Sequence, residues 1–385
     1  MNNISSKVNT VFSEKFSSIP HLYYSPGRIN LIGEHVDYND GFVMPAAIDQ
    51  GIYYAIALNN SDVLNFYSID FKEDLNIKIA DIKKLNSWKN YVLGVVNEFV
   101  LLGLPVKGLD CVFGGNIPNG AGMSSSAAVE GGIAFGINEL LHFGLNRKEL
   151  ALLCQRAEHN FPGVMCGIMD QYANMHGKKD HVILLDCRNI EHQYFPLHLE
   201  GYKIVLINSK VHHSLASSEY NIRRKQCEEG LEILKKEKGI ISFRDIKSPE
   251  ELFPFKDKIG EKVYDRCKYV VEEIIRTQEA AKLLQQNNLI EFGKLMFKTH
   301  EGLSKLYEVS CKELDFLVEK ANENKNVIGA RMMGGGFGGC TINIIEKEGF
   351  KEFLSHVTLA YKKEFQINTE IYEVGIEDGV HEINI

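Results

Sequence analysis

A short loop of small and hydroxylated residues constrains this chain more than any other segment. Residues 118–128 read PNGAGMSSSAA, with a strand-like apolar run (109–113) before them and a helix-like run (127–141) after them. Glycines let the backbone approach a ligand closely, and the free N–H groups at the start of a helix attract anions. The loop therefore predicts a phosphate site, although an ordinary serine-rich helix cap would read the same way. It is not a Walker A loop, because no Gly-Lys-Ser/Thr follows.

The composition is that of an ordinary globular protein. The 385 residues are 44% hydrophobic and 24% charged with a net charge of −8, which suits one large or two medium domains. No basic run suggests a nucleic-acid partner, no apolar run is long enough to cross a membrane, and residues 1–20 lack the apolar region of a signal peptide. Eight scattered cysteines without a C-x-x-C pair argue against zinc and redox motifs and predict reduced, mostly buried thiols. We therefore expect a cytoplasmic protein, and we expect a monomer.

Strand and helix signals are distributed unevenly along the chain. Both occur in residues 1–198, whereas residues 199–385 are dominated by long, charged, helically periodic segments that end in strands. The pattern predicts an α+β fold with these two parts. The predicted strands span residues 43–58, 63–71, 109–113, 181–187, 203–208, 341–345 and 370–374. The predicted helices span residues 90–102, 127–141, 146–160, 218–236, 264–286, 290–309, 312–322 and 348–363.

A second constellation, SPGRINLIGEHVDYNDGFVMP, occupies residues 25–45 and contains Arg28, Glu34, His35 and Asp37. Carboxylates accept hydrogen bonds from several hydroxyls, and arginine adds a planar positive fork. The segment therefore suits a polyhydroxylated ligand. We interpret it as a loop, because its few apolar anchors make it a poor core element. The alternative is a charged surface loop with an internal Arg–carboxylate pair.

Two further motifs contain residues with a possible catalytic or ligand-binding role. CGIMDQ (166–171) sets Asp170 among apolar neighbours, where a partly desolvated carboxylate can act as a base. Capping of a helix over residues 171–175 is the commoner explanation of this motif alone. GGGFGG (334–339) contains G-x-G-x-x-G, but the strand-like run after it argues against a dinucleotide fold. It reads either as a tight loop packed against a ligand or another loop, or as a plain hairpin turn.

Together these segments resemble the galactokinases, within the larger family of small-molecule kinases that includes homoserine, mevalonate and phosphomevalonate kinases. The loop 118–128 resembles the larger family's phosphate motif, 330–340 resembles its third glycine motif, and 27–45 resembles the galactokinase signature itself. Further matching segments are GIMDQ (167–171), LLDCR (184–188) and SSEYNIRRKQCE (217–228). The one departure is Val36, where many members have threonine.

The resemblance implies transfer of the ATP γ-phosphate to the C1 hydroxyl of α-D-galactose with Mg²⁺, the first committed step of galactose catabolism. It implies a two-lobed fold with mixed sheets and helices in each lobe and the active site in the cleft between them. Asp170 and Arg28 fall on catalytic positions, and Trp88 lies in a segment that resembles one near the family's adenine pocket, with a buried hydrophobic anchor as the alternative. The implied sugar-contacting positions are Glu34, His35, Asp37, Gly167 and Tyr220. The implied ATP phosphate positions are Gly120, Ala121, Gly122, Met123, Ser124, Ser125 and Ser126, and the implied magnesium positions are Ser126 and Glu158.

These implied roles agree with the physics of phosphoryl transfer, which relies on positioning and charge stabilisation. Ser126 and Glu158 offer the oxygen ligands that Mg²⁺ prefers. Arg28 keeps Asp170 ionised, and Asp170 either accepts the hydroxyl proton or only orients the hydroxyl. Two other functions stay open. One is a kinase for N-acetylgalactosamine or arabinose, and the galactosamine enzymes would differ in the room around C2 of the sugar. The other is a galactose sensor without catalysis, whose relatives lack residues of the phosphate loop.

Overall fold

The computed structural model describes residues 3–85, 87–118, 120–211 and 216–383, so Asn119 of the predicted phosphate loop lies outside the described residues. The described strands are β1 (His21–Asn30), β2 (Phe42–Val43), β3 (Pro45–Leu58), β4 (Val63–Ser68), β5 (Glu73–Lys78), β6 (Leu109–Gly115), β7 (His181–Asp186), β8 (Glu191–Pro196), β9 (Tyr202–Asn208), β10 (Val327–Met332), β11 (Cys340–Glu346), β12 (Glu370–Val374) and β13 (His381–Glu382). The described α-helices are α1 (Asn3–Lys15), α2 (Lys89–Leu101), α3 (Ser125–Leu140), α4 (Arg147–Asn160), α5 (Met169–His176), α6 (Ala216–Lys238), α7 (Lys256–Ile259), α8 (Glu261–Gln285), α9 (Leu289–Lys305), α10 (Lys312–Asn322) and α11 (Phe350–Phe365).

The strands form three sheets. The largest has the order β13-β1-β3-β6-β4-β5 and is mixed, because β4 and β6 are parallel while its other pairs are antiparallel. A second, antiparallel sheet has the order β10-β11-β9-β12, and a small third sheet has the order β2-β7-β8. With helices packed on these sheets, the predicted α+β class is confirmed.

Both large sheets are covered on two faces, which follows from the alternation of side chains along a strand. In β3, Ala55 and Ala57 pack with Phe12 of α1, whereas Tyr54 and Ile56 pack into the core on the side of α3. In β9 the same alternation sends neighbouring residues to two separate apolar clusters. Strands buried on both faces carry near-continuous apolar runs, which is why the sequence revealed most of them.

Most predicted elements end within a few residues of the observed ones. The predicted strand 63–71 ends earlier, at Ser68, and the predicted helix 290–309 ends at Lys305. Helices α1 and α7 and strands β1, β5, β8, β10 and β13 were not predicted. All eight cysteines are free, six of them buried, as expected. Among the described helices, none is both long and apolar enough to cross a membrane.

The interpretation of residues 25–45 as a loop of poor core character was wrong. Its first part, Ser25–Asn30, is the end of the buried strand β1, and Ile29, Leu31 and Ile32 are fully buried. Val36, the one departure from the family pattern, is also fully buried among apolar residues, so a valine fits there.

We propose that the chain divides near residue 198, between β8 and β9. The strands on either side of this point belong to different sheets, because β8 pairs with β7 and β9 pairs with β11 and β12. The division is not complete, since the late strand β13 returns to pair with β1.

Candidate active site

Motifs far apart in the sequence converge on a cavity of about 250 Å³. Its walls come from both halves of the chain. The residues that line it are Arg28, Glu34, His35, Asp37, Glu158, Val164, Cys166, Gly167, Met169, Asp170, Tyr220, Gly334, Gly335 and Gly336. Every sugar-contacting and catalytic position implied by the sequence is among them.

Arg28 and Asp170 form a bidentate ion pair at one side of this cavity. Arg28 Nε donates to Asp170 Oδ1 and Nη2 donates to Oδ2, both at 2.7 Å. The Arg28 side chain is 6% exposed and the Asp170 side chain 24% exposed, so the carboxylate keeps a face toward the cavity. Paired N–H···O bonds of this kind fix orientation as well as charge. Asp170 lies in the first turn of α5, whose cap residue Ile168 makes no side-chain cap, so Asp170 is not an N-cap of a helix over residues 171–175.

The same pair is tied to the predicted phosphate loop. The Ser124 hydroxyl donates to Asp170 Oδ2, and Arg28 Nη1 donates to the Gly122 carbonyl. The backbone N–H of Arg28 also donates to the Met123 carbonyl at 3.1 Å. The Arg28–Asp170 pair and the loop therefore form one unit, which the sequence did not reveal.

The loop reaches its shape through left-handed backbone conformations. Gly120, Gly122 and Ser124 have φ of 71°, 73° and 59°, and α3 begins at Ser125. Such angles cost little for glycine but are strained for serine. The side chains of Ala121 and Met123 are buried in the core, so only their backbone groups can face a ligand. At the start of α3, Ser125 and Ser126 line a second, larger cavity.

The glycine segment 334–339 connects the antiparallel strands β10 and β11 and is therefore a hairpin loop. It also packs against the phosphate loop. A Cβ at Gly334 would lie 3.5 Å from the Gly122 carbonyl oxygen, and one at Gly339 would lie 3.4 Å from the Gly120 carbonyl oxygen. Both interpretations of this motif thus hold.

Glu34 is a buried carboxylate that already has hydrogen-bond and ion-pair partners within the protein. It accepts hydrogen bonds from Asn30 Nδ2 at 2.9 Å and from the backbone N–H of Gly334 at 3.1 Å. Arg331 Nη2 lies 2.6 Å from Glu34 Oε2, and neither side chain is more than 2% exposed. The arginine fixes the carboxylate in the cavity wall.

Asp37 packs directly against Gly167 in the cavity wall. A Cβ at Gly167 would lie only 2.0 Å from Asp37 Oδ2, so only glycine leaves room for this carboxylate. Burial, reinforced by the charges of Asp170 and Glu34, raises the pKa of Asp37 to about 7. A hydroxyl donor from a ligand would relieve this unfavourable environment.

His35 packs between two tyrosine rings. The centroid of its imidazole lies 5.2 Å from that of Tyr220 and 5.1 Å from that of Tyr307. Its Nδ1 is hydrogen-bonded to the Tyr38 hydroxyl at 2.7 Å. Burial, together with the positive charges of Arg223 and Arg331, lowers the pKa of His35 to about 3, so the ring is neutral at physiological pH.

Glu158 and Ser126 lie together, as the implied magnesium positions require. The Ser126 hydroxyl is hydrogen-bonded to Glu158, which also accepts from Gln171 Nε2 at 2.6 Å. Burial and the charge of Asp170 raise the pKa of Glu158 to about 7. An oxygen pair with this uncompensated charge fits a hard cation. Within the described ranges no three His, Cys, Asp or Glu side chains converge on one point, so most ligands of such a cation would be water or substrate oxygens.

A second cavity of about 590 Å³ lies on the other side of the phosphate loop. Trp88 lines it and stacks on Phe71 with ring centroids 6.0 Å apart and planes 3° apart. Trp88 is also packed against the core, so the cavity and anchor interpretations are compatible. Ser126 lines this cavity and is hydrogen-bonded to Glu158, which lines the first, so this pair connects the walls of the two cavities.

Sequence reasoning missed the residues that hold the segment 25–45 in place. Arg331 donates to the Leu31 carbonyl at 2.9 Å, and the Tyr269 hydroxyl donates to the Glu34 carbonyl at 2.9 Å. Glu273 accepts the Gly33 N–H at 2.8 Å. Arg331 lies within the motif 330–340, so the sequence marked its segment as important. Tyr269 and Glu273 lie in the long helix α8, outside any motif.

The comparisons with known proteins agree with this arrangement. The model described as the galactokinase galactose-binding signature matches residues 10–58. The models of the N-terminal domain and the C-terminal region of GHMP kinases match residues 90–178 and 280–363. The mevalonate kinase of Methanococcus jannaschii shares the fold with a TM-score of 0.64 at 20% identity. The fold and its glycine loops are thus those of the GHMP kinase class.

Nearer relatives narrow the class. The chain is 41% identical over 359 residues to the galactokinase of Thermotoga petrophila, covering 93% of this chain and 99% of that one. It is 40% identical over 390 residues to the galactokinase of Clostridium acetobutylicum, covering 100% and 99%. The structure of Lactococcus lactis galactokinase complexed with galactose matches with a TM-score of 0.95 at 33% identity, covering 98% of this chain and 99% of that chain. The chain belongs to the galactokinase family.

Proposed function

We propose that this enzyme transfers the γ-phosphoryl group of ATP to the C1 hydroxyl of α-D-galactose. ATP-dependent galactokinase activity follows from identity of about 40% to curated galactokinases over nearly the whole chain and from the galactose-binding signature. The observation that carries the detailed proposal is the position of Asp170. Its carboxylate lines the smaller cavity and is bonded to Ser124 of the phosphate loop, so it stands where a sugar hydroxyl and a phosphoryl group would meet.

In this proposal the smaller cavity holds the sugar. Asp37 and Glu34 accept hydrogen bonds from its hydroxyls, and His35, Gly167 and Tyr220 complete the wall. Asp170 accepts the proton of the reacting hydroxyl or orients that hydroxyl. Arg28 holds the Asp170 carboxylate in position and stabilises the negative charge of the γ-phosphoryl group during its transfer. Positioning and charge are the main contributions a protein makes to phosphoryl transfer.

The larger cavity holds the nucleotide. The aromatic surface of Trp88 and Phe71 suits a base, and residues Gly120–Ser126 offer backbone N–H groups and hydroxyls at the start of α3. Ser126 and Glu158 would hold Mg²⁺, which when bound would neutralise phosphate charge. The raised pKa of Glu158 supports this assignment, because a buried carboxylate without a cation is unfavourable.

The decisive experiment compares sugars and identifies the product. A site that pairs a hydroxyl through buried acceptors rejects an analogue that misplaces it by about 10⁴-fold or more in favourable cases. We expect kcat/KM for galactose to exceed that for glucose, which differs at C4, by at least about 10³-fold. Phosphorus NMR should place the phosphate on C1, and Asp37→Ala should lose most of the preference.

Other outcomes point to other functions. Comparable kcat/KM for galactose and glucose, or phosphate on C6, would refute the proposal. Higher kcat/KM for N-acetylgalactosamine or arabinose would indicate a neighbouring sugar kinase. Galactose binding without any product would indicate a sensor.

A further inference from the structure

A row of hydrogen-bonded side chains leads away from His35 into the C-terminal half. His35 Nδ1 is 2.7 Å from the Tyr38 hydroxyl, which is 2.9 Å from the Tyr307 hydroxyl. The Tyr307 hydroxyl is 3.1 Å from Cys227 Sγ. We call this row the tyrosine relay. Its far members, Tyr307 and Cys227, are fully buried and contribute nothing directly to the cavity wall.

The relay is held rigidly. Arg223 Nε donates to the Tyr307 carbonyl at 2.8 Å. Asn39 Nδ2 donates to the His35 carbonyl at 3.0 Å, which fixes His35 in a left-handed conformation with φ of 60°. Held backbone conformations of this type are strained and occur where the surroundings enforce them. Because the backbone is held and the ring packs between Tyr220 and Tyr307, the relay acts on the placement of the imidazole proton.

Each member of the relay carries one proton, so the hydrogen bonds can run in two directions. Burial raises the pKa of Tyr38 and Tyr307 well above the usual value and that of Cys227 to about 11, so all three stay protonated. Either Cys227 donates to Tyr307, Tyr307 to Tyr38 and Tyr38 to Nδ1, or every donor and acceptor is exchanged. The first direction puts the His35 proton on Nε2, and the second puts it on Nδ1.

The two ends of the relay decide between these directions. An imidazole nitrogen is a good acceptor for a phenol hydroxyl, and 2.7 Å is a short contact for such a bond. Cys227 is a weak partner in either direction, because its S–H is a weak donor and its sulfur a weak acceptor, and the sulfur already interacts with the Asn39 side chain. The bond at His35 therefore decides the direction, and a phenol hydroxyl that donates to an imidazole nitrogen is favoured there.

We propose that Cys227, Tyr307 and Tyr38 fix His35 as the Nε2–H tautomer, so that His35 is a hydrogen-bond donor in a sugar cavity rich in carboxylate acceptors. Nε2 is buried and makes no well-oriented hydrogen bond to a described protein group, and the hydrogen bond to the Gly335 backbone that raises the pKa of His35 is one in which the ring donates. Tyr38 and Tyr307 are positioning residues that act through His35. The ligand side of this inference rests on the proposed galactose site.

The tautomer can be observed without any activity. In protein labelled with ¹⁵N-histidine, long-range proton–nitrogen correlation spectra distinguish a protonated ring nitrogen from an acceptor nitrogen, and His35→Asn assigns the signals. We expect Nδ1 of His35 to be the acceptor and Nε2 to carry the proton in the free enzyme. Tyr38→Phe, which removes the donor, should mix the tautomers. Tyr361→Phe is the matched control, because its buried hydroxyl donates at 2.8 Å to the distant Ser209 carbonyl. A proton on Nδ1 in the unaltered enzyme overturns the proposal.

A ligand series tests the donor role. Fluorine can accept a hydrogen bond but cannot donate one, so a hydroxyl that receives a bond from His35 should tolerate fluorine better than hydrogen. We expect one position of galactose at which the deoxyfluoro sugar binds more tightly than the deoxy sugar, with the difference reduced in Tyr38→Phe. Tyr38→Phe should raise the Kd of galactose about 3- to 10-fold, the effect of one hydrogen bond. No such position in the series overturns the donor role. An Nε2–H tautomer in an enzyme that does not phosphorylate galactose would support the relay and refute the proposed function.

Discussion

Substitution of Gly167 by alanine tests the geometry of the sugar cavity more directly than removal of any charged residue. An alanine Cβ at this position would lie 2.0 Å from Asp37 Oδ2 and 2.2 Å from Asp37 Cγ. Its three nearest neighbours are all atoms of the Asp37 side chain, so most of the strain falls on a carboxylate that can rotate away, while Asp37 Cβ, at 2.9 Å, needs only a small shift of the local backbone. Gly167 also has no left-handed backbone angle, so alanine can adopt its conformation. We expect Gly167→Ala to fold normally with its Asp37 carboxylate displaced.

The size of the effect follows from the required movement. Ordinary contact begins near 3.4 Å, so the Asp37 carboxylate must move by about 1.4 Å. A misplacement of about 1 Å at a positioning group can cost about 10²-fold in rate. Each lost hydrogen bond to a charged group costs about 1.5–3 kcal/mol, or roughly 10- to 150-fold. We therefore expect kcat/KM for galactose to fall about 10²-fold, mainly through KM, while KM for ATP changes little.

Gly335→Ala is the matched control in the same cavity. Its Cβ would meet only Tyr220 Cδ2, at an ordinary 3.6 Å, and Gly335 is not left-handed either. Steady-state kinetics with galactose and thermal unfolding should be measured for both variants. In an Asp37→Gly background, Gly167→Ala should have little further effect, because the clashing atoms are gone. Equal losses in the two alanine variants, or a loss below about threefold in Gly167→Ala, would refute the assigned contact between Gly167 and Asp37.

Four further expectations concern the proposed roles. Asp170→Ala should lower kcat by at least about 10²-fold in a folded protein, and more than a tenth of the original kcat in this variant would rule out Asp170 as a base. Asp170→Asn separates the two proposed roles, since asparagine can orient a hydroxyl but cannot take its proton. Arg28→Lys should lower kcat far more than it raises KM for galactose, because an ammonium cannot copy two parallel bonds to one carboxylate; a change in KM alone would make Arg28 a binding residue. ATP or ADP should perturb the fluorescence of Trp88, the sole tryptophan, and an unchanged spectrum at saturating nucleotide would favour a purely structural role. KM for galactose should rise as the pH falls below about 7, because protonation of Asp37 removes an acceptor, and Asp37→Asn should flatten this profile.

The sequence revealed elements whose pattern is local and missed those whose stability depends on distant partners. Helices α8, α9 and α10 have clear helical periodicity and were predicted nearly to their ends. Strand β1 was missed because Ser25, Arg28 and Asn30 interrupt its apolar run. The structure buries these polar groups and pairs each of them, for example Asn174 Nδ2 with Ser25 Oγ at 2.9 Å. A local sequence pattern cannot predict a hydrogen-bond partner that lies 149 residues away.

The site shows the same limit. Motif resemblance brought Glu34, Asp37 and Asp170 together correctly, because the motif fixes which residues share a ligand. It could not show that Arg331, about 300 residues from Glu34, holds that carboxylate, or that Ser124 turns its hydroxyl toward Asp170. Such contacts depend on how the two halves pack, and periodicity within one segment carries no information about that.

The charges of the cavity suggest why its two ligands belong together. Four carboxylates line it, and two of them have an arginine of their own, Asp170 with Arg28 and Glu34 with Arg331. Asp37 and Glu158 form no ion pair within the described part of the chain, and burial raises the pKa of each to about 7. Asp37 faces the proposed sugar and Glu158 the proposed metal, so each unpaired carboxylate stands where a ligand would supply the missing donor or cation. Asp170 raises the pKa of both groups, so all three carboxylates contribute to the negative charge of the cavity. Under the proposed assignment, the protein leaves its unfavourable charges at the two places where the sugar and the metal–nucleotide would compensate them.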